Sequence, residues 1–77
     1  MNELIIQSTD NSVTFRFGSE DYAVYPHGAI IAVDDGSDRI SFKLLSSRKT
    51  IFSYPFGNIS PSSETAAETV EQLNTLL

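Results

Sequence analysis

The densest cluster of carboxylates in the sequence is DDGSD, residues 34–38, which has the chemistry to hold a cation. A calcium loop of the EF-hand type alternates its oxygen ligands and places a bidentate glutamate six residues after its glycine. Here the residues that follow, ISFKL at 40–44, contain no glutamate. The pair Asp35-Gly36 suits the positive φ angles of a hairpin turn. We therefore interpret the segment as a solvated hairpin turn and predict no metal ligand.

His27 is the single histidine, and histidine is the side chain most often used as a general base. Its neighbours, Pro26 and Gly28, favour a turn and supply no partner for catalysis or metal binding. The chain has no cysteine, which excludes disulfides, thiol catalysis and thiolate metal sites. A serine nucleophile would depend on His27 as its base. We therefore predict a turn role for His27 and a protein that is not an enzyme, with no catalytic residue, no cofactor-binding residue and no cofactor.

Aromatic residues occur throughout the first 56 positions and could form a stacking platform for single-stranded nucleic acid. Such a platform needs a basic groove, which Arg16, Arg39 and Lys43 could provide if they shared the outward sheet face. The chain, however, carries ten acidic and five basic residues, a net charge of −5 that repels the phosphates of nucleic acids and membranes. We therefore predict no nucleic-acid partner and no membrane partner. The phenylalanines are assigned to the core, and the tyrosines to its rim or to an interface.

Turn-forming residues recur every eight to ten positions up to residue 56, a rhythm typical of an antiparallel sheet. Val13, Phe15 and Phe17 alternate with polar residues, which is the period of a strand with one buried face. The strands predicted in this way cover residues 3–8, 12–17, 22–25, 29–33, 39–45 and 50–56. Their connections are too short for parallel crossovers, so we predict an antiparallel meander of about six strands, forming a curled sheet or a small open barrel.

An amphipathic helix is predicted at about residues 62–77, after a loop at residues 57–61. Ser60 is suited to the N-cap because a proline at the first helical position follows it, and Ser62 and Ser63 are alternative caps. The apolar stripe of this helix consists of Ala66, Val70, Leu73 and Leu77, flanked by Ala67 and Leu76.

These elements predict one α+β domain, residues 1–77, in which the C-terminal helix covers an apolar sheet face. That face is formed by Phe15, Phe17, Ile40, Phe42 and Leu44. Residues 29–33, AIIAV, are apolar on both sides and are expected to form a central strand. Ile5, Ile30 and Leu45 are expected to point away from the helix. Apolar residues on a second face indicate a barrel or a face covered by a partner, and we favour self-association or docking into a larger assembly.

The first ten residues, MNELIIQSTD, contain an acidic residue and only three consecutive apolar residues. This composition is typical neither of a signal peptide nor of a membrane span. We therefore expect the protein to be cytoplasmic on synthesis.

The segment TIFSYPFGNISPSSETAAETVEQLNTLL, residues 50–77, resembles the ending of small accessory proteins in tailed-bacteriophage and prophage structural modules. In both, a strand with an aromatic-proline break leads through a Ser/Pro loop into a terminal helix that ends in Leu-Leu. The hairpin AIIAVDDGSDRISFKLL is compatible with that type, whereas the pair Arg48-Lys49 departs from it. The resemblance implies a non-enzymatic virion or assembly component, with other proteins or further copies of itself as partners.

Two alternatives are left open. A small acidic regulator or inhibitor would dock on a basic protein surface, mimicking nucleic acid, and its affinity would fall in salt. Its contact face would combine the loop at residues 34–38 with Glu64, Glu68 and Glu71. The C-terminal helix also resembles the helix that closes the curved sheet of lipid-headgroup modules, which is an alternative for the fold alone.

Overall fold

Six strands follow the alternation of the sequence, and a seventh, short strand precedes the helix. The computed structural model describes residues 3–18 and 20–77. Within these residues the elements are β1 (Leu4–Ser8), β2 (Ser12–Arg16), β3 (Tyr22–Pro26), β4 (Ile30–Asp34), β5 (Arg39–Leu44), β6 (Thr50–Pro55), β7 (Ile59–Ser60) and α1 (Ala66–Leu76). A 3₁₀ turn, Phe56–Asn58, connects β6 to β7.

The strands form two sheets. Sheet A has the order β3-β2-β1-β7, and sheet B has the order β4-β5-β6. All neighbours are antiparallel except β1 and β7, which are parallel. The α+β class, with antiparallel-rich sheets and a C-terminal helix packed on them, is confirmed. The predicted meander is divided between the sheets, because the turn after β3 carries the chain from sheet A to sheet B. A strand of two residues shows no alternation, which is why β7 is absent from the predicted set.

Two phenylalanines, one from each sheet, form the centre of the core. Phe15 of β2 and Phe42 of β5 are fully buried, and their rings meet edge to face with centroids 5.6 Å apart, a favourable aromatic geometry. Ile40 is also fully buried, while Phe17 and Leu44 are half-buried, so the predicted inward direction of these five residues is confirmed. The prediction that they form a single face under the helix is wrong, because the chain is divided into two sheets: Phe15 and Phe17 belong to the side of sheet A, Ile40, Phe42 and Leu44 belong to sheet B, and the helix packs on β4 and β5. The buried cluster is completed by Leu4, Ile6, Val13, Ile30, Ala32, Ile59 and Leu73.

Strand β4 lies at the edge of sheet B, which corrects the prediction of a central strand. Ile30 is 5 % exposed and belongs to the core, so its predicted outward direction is wrong. The physical reason is that α1 packs against β4 and shares a buried cluster with it, which removes the need for a second neighbouring strand. Ile5 and Leu45 are 40 % and 47 % exposed, as predicted.

Helix α1 begins at Ala66, four residues later than predicted, and its N-cap is Thr65 rather than Ser60, Ser62 or Ser63. The Thr65 hydroxyl oxygen accepts a hydrogen bond from the Glu68 N–H at 3.2 Å, and the hydroxyl donates to the Glu68 carboxylate at 3.1 Å. A Thr-x-x-Glu pattern before an apolar run is a capping signature. This local signal competes with the Ser-Pro pair, and it outweighs that pair because the cap satisfies a helical N–H.

The buried stripe of α1 contains a polar residue that the apolar pattern does not predict. Ala66, Thr69 and Leu73 are buried, Val70 and Leu77 are half-buried, and Ala67, a predicted flank of the stripe, is exposed. The Thr69 hydroxyl donates to the Thr65 carbonyl at 2.8 Å and accepts from the Ser63 N–H at 2.9 Å. Because both hydrogen-bonding roles of the hydroxyl are fulfilled, its burial carries little desolvation penalty.

We expect Leu73→Ala to lower the free energy of unfolding by about 2–5 kcal/mol, because it leaves a cavity in the core shared by both sheets and the helix. Urea denaturation followed by circular dichroism measures this change. Leu45→Ala is the matched control, since Leu45 is 47 % exposed and its truncation leaves no enclosed cavity. Equal losses in the two variants would contradict the central position of Leu73.

Candidate interaction surface

The ends of the two sheets determine where this protein can pair with another chain. Sheet A ends at β3 and β7, and sheet B ends at β4 and β6. A terminal strand presents unpaired N–H and C=O groups to any other strand unless something covers them. In an antiparallel pair these groups alternate, so that every second residue directs its groups away from the paired strand.

The middle of the free edge of β4 is covered by the helix. The Asp35 N–H donates to the Arg39 carbonyl at 2.9 Å, which by alternation turns the backbone groups of Ile30, Ala32 and Asp34 toward the free edge. There the Ala32 N–H donates to Oδ1 of Asn74 at 2.9 Å, and Nδ2 of Asn74 donates to the Ala32 carbonyl at 3.0 Å. One side-chain amide thus takes the place of a neighbouring strand.

The free edge of β6 is covered in part, and in a different way. The Phe56 N–H donates to the Asp38 carbonyl at 2.9 Å, so the backbone groups of Ser53 and Pro55 face outward. Nη2 of Arg39 donates to the Ser53 carbonyl at 3.1 Å, and proline has no N–H to offer. The remaining terminal strand of sheet A, β7, is two residues long. Short strands and prolines are common means of protecting an edge.

Strand β3 has no such cover among the residues the structure describes. The Phe17 N–H donates to the Asp21 carbonyl at 2.9 Å, which turns the backbone groups of Tyr22, Val24 and Pro26 to the free edge. The Pro26 carbonyl accepts from the Ala29 N–H at 3.2 Å. Within residues 3–18 and 20–77, neither Tyr22 nor Val24 has a hydrogen-bond partner for these outward groups.

The side chains beside this open edge are apolar and exposed. Tyr22 is 63 % exposed and Val24 is 52 % exposed. Across β2 they face Arg16 and Thr14, and Arg16 in turn faces Ile5 of β1. We name the free edge of β3, together with the outer side chains Ile5, Thr14, Arg16, Tyr22 and Val24, the β3 surface. Leu45, the other exposed aliphatic residue of the predicted second face, follows β5 of sheet B and lies outside this surface.

The basic residues do not share one sheet face. Arg16 belongs to sheet A, where its Nε donates to Oε1 of Gln7 at 3.1 Å, whereas Arg39 and Lys43 belong to β5 of sheet B. These cations therefore do not form a common basic face, because the chain changes sheets between them. The aromatic rings pack on each other between the sheets, as in the contact of Phe17 with Phe52 at 4.8 Å between centroids.

His27 lies in the turn between β3 and β4, as predicted, and joins distant backbone segments. Its Nε2 is 2.6 Å from the Thr9 carbonyl and 3.4 Å from the Ser8 hydroxyl, and its Nδ1 is 3.4 Å from the Leu77 carbonyl. A carbonyl oxygen only accepts, so Nε2 carries the proton in its shorter contact and is not free to take one from Ser8.

The acidic loop at residues 34–38 forms the hairpin turn between β4 and β5, which confirms its interpretation as a turn. The Gly36 N–H donates to Oδ1 of Asp34 at 2.9 Å, and Gly36 has a φ of 86°. In the described part of the chain, no three His, Cys, Asp or Glu side chains are placed to hold a metal ion together. Glu68 and Glu71 line a shallow depression on α1 with Ser63, Gln72 and Thr75.

No family model matches this chain, and no curated protein or solved structure matches it either. Over the described residues, no helix has both the length and the apolar character needed to cross a bilayer.

We expect Asn74→Ala to lower the free energy of unfolding by about 1–3 kcal/mol, because it leaves the N–H and C=O of Ala32 without their partner. Chemical denaturation measures the loss. Glu71→Ala, at an exposed position of the same helix, is the control and should change stability by no more than about 0.5 kcal/mol. Alanine is a better helix former than asparagine, so the substitution would stabilise the helix if the edge contact contributed nothing. An Asn74→Ala variant at least as stable as Glu71→Ala would therefore contradict a role for the contact.

Proposed function

We propose that the protein is a non-enzymatic interaction protein that works in multiple copies within an oligomeric assembly, and that the β3 surface makes one of the contacts between copies. The observation that carries this proposal is the difference between the sheet edges. On β4 the outward groups of Ala32 are bonded by Asn74 and the neighbouring Ile30 is buried, and on β6 the Ser53 carbonyl is bonded by Arg39, whereas the open backbone groups of Tyr22 and Val24 on β3 lie beside exposed apolar side chains. An open edge of this kind is a template for strand addition.

The size of the molecule favours a role in repeated copies. A standard interface covers roughly 800 Å² on each partner, which is about a sixth of this protein's 4753 Å² surface. The edge of one five-residue strand is a small part of such an area. Each contact is therefore expected to be weak, and many weak contacts acting together give an assembly its strength. That this assembly is a phage-like particle stays a prediction from the resemblance of residues 50–77.

The non-enzymatic part of the proposal is supported by the surroundings of His27. Both ring nitrogens face backbone oxygens, and the protonated Nε2 is the nitrogen nearest to Ser8. A serine nucleophile would need a ring nitrogen free to accept its proton. The contacts of His27 therefore hold the β1–β2 turn, the β3–β4 turn and the end of α1 together, which is a structural task.

An acidic regulator that docks on a basic surface is the competing proposal, and salt separates the two. Copies of a chain with net charge −5 repel each other, so added salt should strengthen self-association. Salt would instead weaken the attraction of Glu68 and Glu71 for a basic partner. A self-association that weakens steadily as salt is added would contradict contacts between like copies through the β3 surface.

We expect the wild-type chain to show a mass above that of one copy as its concentration rises, and Val24→Lys to remain monomeric at the same concentrations. The lysine would place a charge at the centre of the β3 surface without touching the core, since Val24 is exposed. Light scattering after gel filtration, or sedimentation velocity, measures the mass.

Leu45→Lys is the matched control for this experiment, because it adds the same charge at an exposed apolar residue outside the β3 surface. It should associate as the wild type does. A wild-type chain that is monomeric at millimolar concentration, or a Leu45→Lys variant that loses association as completely as Val24→Lys, would contradict the proposed contact region.

A further inference from the structure

We propose that a second copy of this chain pairs with β3 in antiparallel orientation about a two-fold axis at Ala23, which joins two A sheets into one sheet of eight strands. This inference rests on the proposed function and specifies the partner and the register at the same surface. A two-fold contact uses the same patch on both copies and closes upon itself, so it yields a dimer rather than a fibre.

The register follows from the backbone groups that face the free edge. With the axis at Ala23, Tyr22 lies opposite Val24 of the second copy, and both residues direct N–H and C=O outward. Such a pair exchanges two hydrogen bonds, and the axis creates the pair twice. The arrangement therefore satisfies every outward backbone group of Tyr22 and Val24 in both copies.

An axis shifted by one residue, which shifts the register by two, satisfies fewer groups. With the axis at Val24, Tyr22 would face Pro26, which has no N–H and whose carbonyl already accepts from Ala29. With the axis at Tyr22, Val24 would face Glu20, which lies outside the strand. In either case, the residue on the axis, which pairs with its own copy, is the only one that exchanges two hydrogen bonds.

Charge selects the antiparallel orientation over the parallel one. Glu20 and Asp21 immediately precede β3, so parallel copies in register would set these carboxylates beside the same residues of the partner. Like charges opposite each other destabilise strand pairing. In the antiparallel register, Asp21 lies opposite Tyr25 and Glu20 lies opposite Pro26 of the second copy, so no carboxylate faces another.

The side chains fit the same arrangement. Tyr22 and Val24 of the second copy become direct neighbours on the outer face, and aromatic and β-branched residues form favourable cross-strand pairs. At the axis the two Ala23 residues form a non-hydrogen-bonded pair, whose Cα atoms lie about 4.5 Å apart. Alanine is small enough to leave this close approach unobstructed.

Disulfide cross-linking tests the register, because the wild-type chain has no cysteine and a single substitution gives one thiol per copy. Ala23→Cys places the two thiols within the range of about 4.4–6.8 Å between Cα atoms that a disulfide spans. We expect Ala23→Cys to convert from monomer to covalent dimer under mild oxidation. Val24→Cys and Tyr22→Cys, whose thiols would lie diagonally across the axis, should react far less, and Leu45→Cys gives the level of random collision.

The pattern across the variants decides between registers. Cross-linking mainly through Val24→Cys or Tyr22→Cys would overturn the axis at Ala23 in favour of a shifted one. Equal cross-linking at the three β3 positions would indicate parallel pairing and would also overturn it.

The mass of the wild-type chain separates this inference from the proposed function. If the chain self-associates but Ala23→Cys reacts no faster than Leu45→Cys, the pairing at Ala23 is wrong and the proposed function stands. If the wild-type chain is monomeric at every concentration and no β3 cysteine reacts faster than Leu45→Cys, both are wrong.

Amide hydrogen exchange provides a second test on the unaltered chain. The N–H groups of Tyr22 and Val24 should exchange more slowly as the protein concentration rises, because they become bonded in the dimer. Those of Ala23 and Tyr25, which are bonded to β2 within one copy, should be protected at all concentrations. Exchange at Tyr22 and Val24 that stays constant while the mass rises would overturn the pairing.

Discussion

The contact between α1 and β4 is the interaction on which the rest of this small fold depends. Leu73 brings the helix into a core shared by both sheets, and the next residue, Asn74, bonds both backbone groups of Ala32. The same turn of helix therefore buries apolar surface and replaces a missing strand. Without it, sheet B would lose the cover of its apolar face and would have an open edge at β4.

The treatment of the sheet edges connects this fold to its proposed function. A helix side chain bonds the middle of the β4 edge, an arginine bonds one carbonyl of β6 and a proline ends that strand, and β7 is too short to offer a long edge. In the described part of the chain, β3 alone combines free backbone groups with exposed apolar side chains. The free backbone groups of β3, lying beside exposed apolar side chains, give the proposed contact a defined direction.

Several residues whose types suggest chemistry serve the architecture instead. His27 contacts backbone oxygens of two remote segments, Asp34 stabilises its own hairpin, and Arg39 covers a strand edge. Thr69 is buried, and its hydroxyl bonds the Ser63 N–H and the Thr65 carbonyl in the segment that leads into the helix. Polar side chains thus satisfy backbone N–H and C=O groups. In a small domain with few strands, side chains must bond the backbone groups that no neighbouring strand reaches.

The sequence by itself determined the strands, the terminal helix and the inward phenylalanines, because alternation and helical periodicity are local properties of the chain. It also indicated that Ile5 is exposed. The observed start of the helix corresponds to the local pattern Thr65-x-x-Glu68, although the pair Ser60-Pro61 indicates an earlier start. Only the tertiary structure decided which strands are terminal and what covers them. Asn74 and Ala32 are 42 residues apart, and no local pattern records that they meet. The open edge at β3 is a consequence of such remote pairings, since a strand is an edge only with respect to the strands that end up beside it.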